Sequence, residues 1–208
     1  MASSPGLVAP LPPLTFQPAS VDRRPAIAEH RDEPRLDARK GTPMPTVTLR
    51  ELTDDDRVVL FEFQKDPESI QMAAFTSADP SDEAAYNEWW SRVTSNDAIT
   101  KRAILADGAL VGSILSFPLE GRLEVSYGIS RGEWGKGIGT AALRLFLEIV
   151  DTRPIYAHVA TDNLGSLRVL EKCGFVICGT ERGFANARGE EIDEYLLGKT
   201  EESMRESE

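Results

Sequence analysis

The chain has 208 residues, of which 41% are hydrophobic and 27% charged, and it carries a net charge of −11. That length supports one domain with a real core and some excess, and the lack of any run of eighteen apolar residues argues against a membrane span. The acidity argues against nucleic acid, whose binding rests on phosphate neutralisation by Lys and Arg; it suits a cationic small molecule or basic peptide, or serves solubility alone.

Residues 1–45 are rich in proline, among them Pro5, Pro10, Pro12, Pro13 and Pro18, and show no sustained apolar period. Proline removes backbone donors and blocks regular helix, so this stretch is expected to be a disordered leader. With six Lys/Arg against five Asp/Glu it is close to neutral, and the acidity therefore belongs to the rest of the chain. It lacks a basic n-region and an unbroken apolar h-region, so it does not read as a signal peptide. The folded domain is expected over residues 46–200, with a charged tail at 201–208.

Thr46 to Leu52 alternates as a strand. Thr53 or Asp54 is placed to cap a helix carrying Val58, Leu60, Phe61 and Phe63. Met72-Ala73-Ala74-Phe75 reads as its buried continuation or as a second short helix. Ser81 or Asp82 starts another, through Tyr86, Trp89, Trp90 and Val93. Three strands follow, at 99–106, 109–117 and 123–129, with Asp107-Gly108 as a two-residue hairpin signal between the first two. A glycine-rich turn, Trp134-Gly135-Lys136-Gly137-Ile138-Gly139-Thr140, leads to apolar residues at helical spacing over 141–150. Then come a strand at 155–160, a helix over 163–172 ended by Gly174, a strand at 175–179, a turn at Arg188-Gly189 and a last strand at 191–198. The expected architecture is a mixed α/β sheet with helices on both faces.

A glycine-rich strand-to-helix turn offers free backbone N–H groups and the positive end of a helix dipole to one point in space, which suits a phosphate. It matches neither G-x-G-x-x-G with a ribose-binding acid downstream nor G-x-x-x-x-G-K-[ST], so dinucleotide and nucleoside-triphosphate sites lose ground. A tight turn with no ligand is the competing reading. The two cysteines, Cys173 and Cys178, are too few for a disulfide framework, and a reducing cytoplasm is the expected compartment. The two histidines, His30 and His158, stand beside no cysteine and no tight carboxylate cluster in the sequence, so no metal site is expected.

The turn gains meaning beside Glu124-Val125-Ser126-Tyr127-Gly128-Ile129, Asp162-Asn163-Leu164-Gly165-Ser166 and Leu170-Glu171-Lys172-Cys173-Gly174-Phe175. Together these resemble the GNAT superfamily of N-acetyltransferases, nearest the branch of ribosomal-protein N-terminal acetyltransferases. The likeness covers about residues 46–200 and implies a mostly antiparallel sheet with a splayed strand pair. It also implies direct acetyl transfer from acetyl-CoA to a primary amine, a protein N-terminus or a cationic small molecule. A catalytically weak module that binds acyl-CoA as a sensor is the alternative.

The resemblance assigns roles. The N–H groups of Gly135 to Thr140, at the start of the helix, would take the pyrophosphate, and the strand ending at Ile129 would pair with the pantetheine amides. Lys136 either adds charge there or is simply exposed; Trp134 either belongs to the cofactor site or packs on the helix. An acceptor amine with a pKa of about 10.4 must lose a proton before it attacks. Glu124 stands at the family's base position, sharing a strand face with Ser126 and opposite Val125 and Tyr127. Many relatives place an acidic tyrosine where this chain has Leu170, which points to Ser166 as the donor to the leaving thiolate; helix capping is its rival role. Asn163 either holds the cofactor backbone or caps the helix. Cys173 reads as core, because direct transfer needs no covalent intermediate. The acceptor pocket is expected among Phe75, Trp89 and Trp90, with Asp79, Asp82, Glu83, Glu190, Glu191 and Asp193 available to attract a cation. A homodimer through the final strands is compatible with this layout.

Overall fold

The computed structural model describes residues 44–200. The proline-rich leader, apart from Met44 and Pro45, and the tail at 201–208 lie outside the described residues. Seven strands form one sheet in the order β1-β2-β3-β4-β5-β7-β6: β1 Val47–Arg50, β2 Thr100–Ala106, β3 Ala109–Leu119, β4 Arg122–Ile129, β5 Ile155–Ala160, β6 Val176–Ala185 and β7 Glu190–Lys199. Every neighbouring pair is antiparallel except β4 and β5. The turn between β2 and β3 is built on Asp107 at φ 49° and Gly108 at φ 83°. Left-handed backbone at both central positions is what a two-residue hairpin turn requires.

Five helices cover the sheet: α1 Asp56–Gln64, α2 Pro67–Ala73, α3 Glu83–Thr94, α4 Ile138–Ile149 and α5 Leu164–Lys172. Successive strand residues point to opposite faces, and the core divides accordingly. On one face Ile114, Val125, Ile155, Ala157 and Leu197 pack with Leu143 and Phe146 of α4 and Leu170 of α5. On the other, Leu115 and Phe117 pack with Val93 of α3, while Leu60 and Phe61 of α1 meet Tyr86 and Trp90. Helices therefore stand on both faces, as the pattern predicts. Cys173 is a buried member of the first cluster, again as expected.

The entry to α1 differs from expectation. Its N-cap is Asp55, whose side chain caps nothing. Thr53 instead donates its N–H and hydroxyl to Asp56, at 2.8 and 3.1 Å, and Asp54 accepts from the Trp90 indole at 3.3 Å. The Asp56 carboxylate is buried and clamped by both Arg50 guanidinium nitrogens, at 2.6 and 2.7 Å. The Arg50 guanidinium is the main cause that holds this carboxyl below its usual range. The short helix expected near Met72 is α2, a separate element started by Pro67 and capped by Asp66, whose side chain accepts from the Ser69 N–H. Of the two readings of 72–75, the second short helix is the one seen; none of its own residues is buried, while its C-cap Ala74 is. Helix α3 starts as expected, with the Asp82 side chain accepting from the Ala85 N–H. Strand β6 runs six residues past its expected end, because its whole length pairs with β7.

Candidate active site

Strands β4 and β5 run side by side only at Leu123↔Ile155 and Glu124↔Tyr156. Beyond Glu124 they part, and a cavity of about 390 Å³ opens there. Ser126, Tyr127 and Gly128 of β4 line one side; Asn163, Ser166 and Leu170 of α5 and its cap line the other. The aromatic wall is Phe75, Tyr86, Trp89 and Phe117, and the carboxylates reaching the lining are Asp79, Asp82, Glu124 and Glu194. Among the described residues, no lysine or arginine lines it.

Glu124 lies at the point of divergence with its side chain only 4% exposed. It is opposite Phe117 on β3, and Ser126 is opposite Leu115, so Glu124 and Ser126 face the cavity while Val125 joins the core beneath. Asn163 is the N-cap of α5: its side-chain oxygen accepts from the Ser166 N–H at 3.0 Å, and its amide donates to the Met72 carbonyl at 3.0 Å. The capping of α5 thus uses the backbone of Ser166 and not its hydroxyl. The Tyr127 hydroxyl donates to the Ser166 carbonyl at 3.4 Å, tying β4 to the first turn of α5 across the gap. Burial pushes that phenol above its ordinary range, so it stays a proton-bearing donor.

The glycine turn lies beyond this cavity, where β4 ends. Gly135 and Gly137 sit at φ 76° and 82°, a conformation that favours glycine. Gly137 is the N-cap of α4, which begins at Ile138, three residues earlier than the apolar spacing alone predicts. No side chain caps this twelve-residue helix and no acidic residue stands in its first turn. Its first N–H groups, at Ile138, Gly139 and Thr140, therefore have no intrahelical carbonyl and no side-chain oxygen to meet. The Ile138 side chain itself is core, at 1% exposure. A Cβ on Gly139 would lie 3.3 Å from Val169 and 3.4 Å from Ile129, so glycine lets α4 seat closely against α5 and β4. Trp134 donates its indole N–H to the Ile129 carbonyl at 2.8 Å, which occupies that strand oxygen. Lys136 pairs with Glu133 at 3.0 Å. A helix start with no side-chain cap fits a pyrophosphate.

The histidine in β5 corrects the sequence reading. His158 is far from any carboxylate in sequence, yet its Nε2 lies 3.6 Å from Glu124, and its Nδ1 lies 3.7 Å from Glu194 and 3.9 Å from Glu181. The four residues form a row across adjacent strands β4, β5, β7 and β6. Burial alone would lower the proton affinity of His158. The Glu124 and Glu194 carboxylates outweigh it and raise the imidazole from 6.5 to about 10. A lone histidine in the otherwise apolar run Ile155-Tyr156-Ala157-His158-Val159-Ala160 was the available signal; the strand order that gives it partners was not.

Of the residues expected in the site, Glu124, Ser166 and Asn163 meet at the cavity, and Phe75, Trp89, Asp79 and Asp82 line it. Trp90 is buried in the α1–α3 core, and Glu83, Glu190, Glu191 and Asp193 do not reach the lining. Trp134 to Thr140 form the separate turn described above.

Residues 46–176 match the family model described as acetyltransferase (GNAT) domain. The chain is 24% identical over 153 residues to aminoglycoside N(6')-acetyltransferase type 1 of Klebsiella pneumoniae, covering 65% of this chain and 76% of that protein. It also matches an N-acetyltransferase p20 of Bacillus licheniformis at 30% identity over 81 residues, which are 37% of this chain and 46% of that relative's length. Among solved structures, RimJ of Mycobacterium smegmatis in complex with CoA-disulfide superposes with a TM-score of 0.67 at 22% identity, covering 78% of this chain and 85% of that one. Spermidine N-acetyltransferase of Vibrio cholerae, in complex with CoA and spermine, gives 0.64 at 20% identity, covering 76% and 96%. Both likenesses are of the fold.

Proposed function

Because the chain belongs to the GNAT acetyltransferase family, we propose that it transfers an acetyl group from acetyl-CoA directly to a primary amine on a small cationic molecule. The observation that carries this is Glu124, a buried carboxylate at the divergence of β4 and β5, facing an aromatic and acidic cavity lined by no lysine or arginine among the described residues. Such a lining attracts a cation and offers apolar surface to its carbon chain. The relatives named for aminoglycosides and spermidine act on acceptors of that charge.

The residues divide the work. The Gly135 to Thr140 turn and the first N–H groups of α4 would hold the pyrophosphate, with the N-terminal charge of the helix in support. The parted edge of β4, ending at Ile129, would hold the pantetheine. Asn163 keeps α5 anchored, and its amide remains committed to Met72 and Ser166. Bound acetyl-CoA supplies the activated thioester. Glu124 takes a proton from the acceptor ammonium, directly or through water. The freed nitrogen bonds to the acetyl carbon as the carbon–sulfur bond breaks, and the Ser166 hydroxyl donates to the departing sulfur. The ammonium loses two protons overall: one leaves on the thiol and one passes to solvent.

A thiol-release assay with acetyl-CoA tests this against 1,6-diaminohexane, spermidine, kanamycin and a peptide with a free serine N-terminus, with mass spectrometry of the products. Acetylation of the cationic small molecules in preference to the peptide is expected. Preference for the peptide would assign the chain to protein N-termini. Calorimetric binding of acetyl-CoA with no amine acetylated would leave an acyl-CoA-binding module.

A further inference from the structure

The row formed by Glu124, His158, Glu194 and Glu181 is more than a set of ion pairs. Glu181 and Glu194 are direct cross-strand partners, so two carboxylates face each other on one ladder. Like charges in that position are destabilising. Glu124 brings a third carboxylate to the other side of His158. The side chains of Glu124 and Glu194 are 4% and 6% exposed, which removes most of the solvent that would otherwise separate the charges. One Glu181 oxygen is buried with no hydrogen-bond partner among the described residues. One imidazole thus stands against three acids in a site that also borders the cavity.

The other charged groups do not relieve this. Arg122, two residues before Glu124 on the same strand face, lies over the Tyr156 ring, 5.7 Å from its centroid, and lines no part of the cavity. On β6 the nearby Cys178 thiol feels Glu124 and Glu181 as well as Arg122, and burial raises it. Arg182 and Asp193 pair with each other from the opposite strand face. Across the cavity stand Asp79 and Asp82, which add negative charge, and the Tyr86 phenol of α3, which burial raises.

We infer that His158 is a positioning residue: its ring, held between Glu124 on one side and Glu181 and Glu194 on the other, offsets the charge of these carboxylates and keeps Glu124 aimed into the cavity. This rests on Glu124 as the base of the proposed transfer. His158 does not itself accept the amine proton, because an imidazolium has no free lone pair to do so. It acts through Glu124. Without it three carboxylates would converge uncompensated, and like charges at that spacing repel.

The test is the acid limb of the kcat/KM profile for 1,6-diaminohexane at saturating acetyl-CoA. In His158→Asn the limb moves to higher pH by about one unit or more, the direction expected when carboxylates lose a neighbouring cation. Adding Glu194→Gln to that variant removes one repelling charge and moves the limb back down. A limb that stays at the wild-type pH in folded His158→Asn overturns the inference, whatever happens to the maximal rate. Nitrogen-15 NMR of the wild-type imidazoles gives a second reading that needs no turnover. His158 is expected doubly protonated at pH 8, and a neutral ring there overturns the inference. Failure of every amine to react while His158 is still charged at pH 8 would count against the proposed transfer and not against the charge cluster.

Discussion

Glu181 and Glu194 face each other directly across the β6–β7 ladder, and His158 Nδ1 lies within 4 Å of both. The pairing makes the fold's stability depend on a histidine proton. The proton affinity of His158 is higher in the folded chain, at about 10, than its ordinary 6.5. Its contribution is therefore complete below about pH 6.5 and is lost as pH rises toward 10. Denaturant melts at pH 6, 8 and 10 should show wild type losing stability across that window more steeply than His158→Asn. Parallel losses in the two proteins would refute the coupling.

Removing the proposed base and acid should separate chemistry from binding. Glu124→Gln is expected to lower kcat by roughly 10²–10⁴-fold, the usual range for a general base. Ser166→Ala should also lower kcat but leave the melting temperature unchanged, because the α5 cap uses the Ser166 N–H and not its hydroxyl. Calorimetric affinity for CoA should stay at the wild-type value in both.

The start of α4 predicts a different pattern. Gly137 sits at φ 82°, and a Cβ there would lie 3.1 Å from the Met44 sulfur. Gly137→Ala should cost about 1–2 kcal/mol for the left-handed backbone alone. It should also weaken CoA binding, since relaxation of the turn withdraws the first N–H groups of the helix. Calorimetry and thermal melting on the same samples check both effects.

The Arg50–Asp56 clamp joins β1 to α1. Asp56→Asn should destabilise the fold by about 1–3 kcal/mol, toward the lower end because Arg50 is 40% exposed. The Asp56 carboxyl is held below its ordinary range, so its contribution is present above that range and is lost as pH falls through the depressed value. Acid titration of stability should consequently be shallower in Asp56→Asn than in wild type.

Local signals carried most of the fold. Asp107-Gly108 fixed a hairpin, Asp82 and Asn163 capped α3 and α5, and Gly174 closed α5 at φ 83°, because each acts within a few residues of itself. The start of α1 was misread for the opposite reason. Thr53 and Asp54 are good caps in isolation, but Thr53 engages Asp56, which Arg50 of β1 holds, and Asp54 engages Trp90 of α3. Glu124 and Ser166 were legible from their motifs. His158, Glu181 and Glu194 were not, since only the order β4-β5-β7-β6 makes neighbours of residues this distant in the chain.

The hydrogen bond from Trp134 to the Ile129 carbonyl has a spectroscopic consequence. The chain has three tryptophans, and the fold distributes them across the two halves of the site. Trp134, 39% exposed, flanks the glycine turn; Trp89 forms part of the cavity wall; Trp90 is 4% exposed in the core. On the proposed assignment, intrinsic fluorescence would follow donor and acceptor through different indoles. Replacing Trp134 or Trp89 singly by Phe would give two label-free reporters of the order in which the substrates bind.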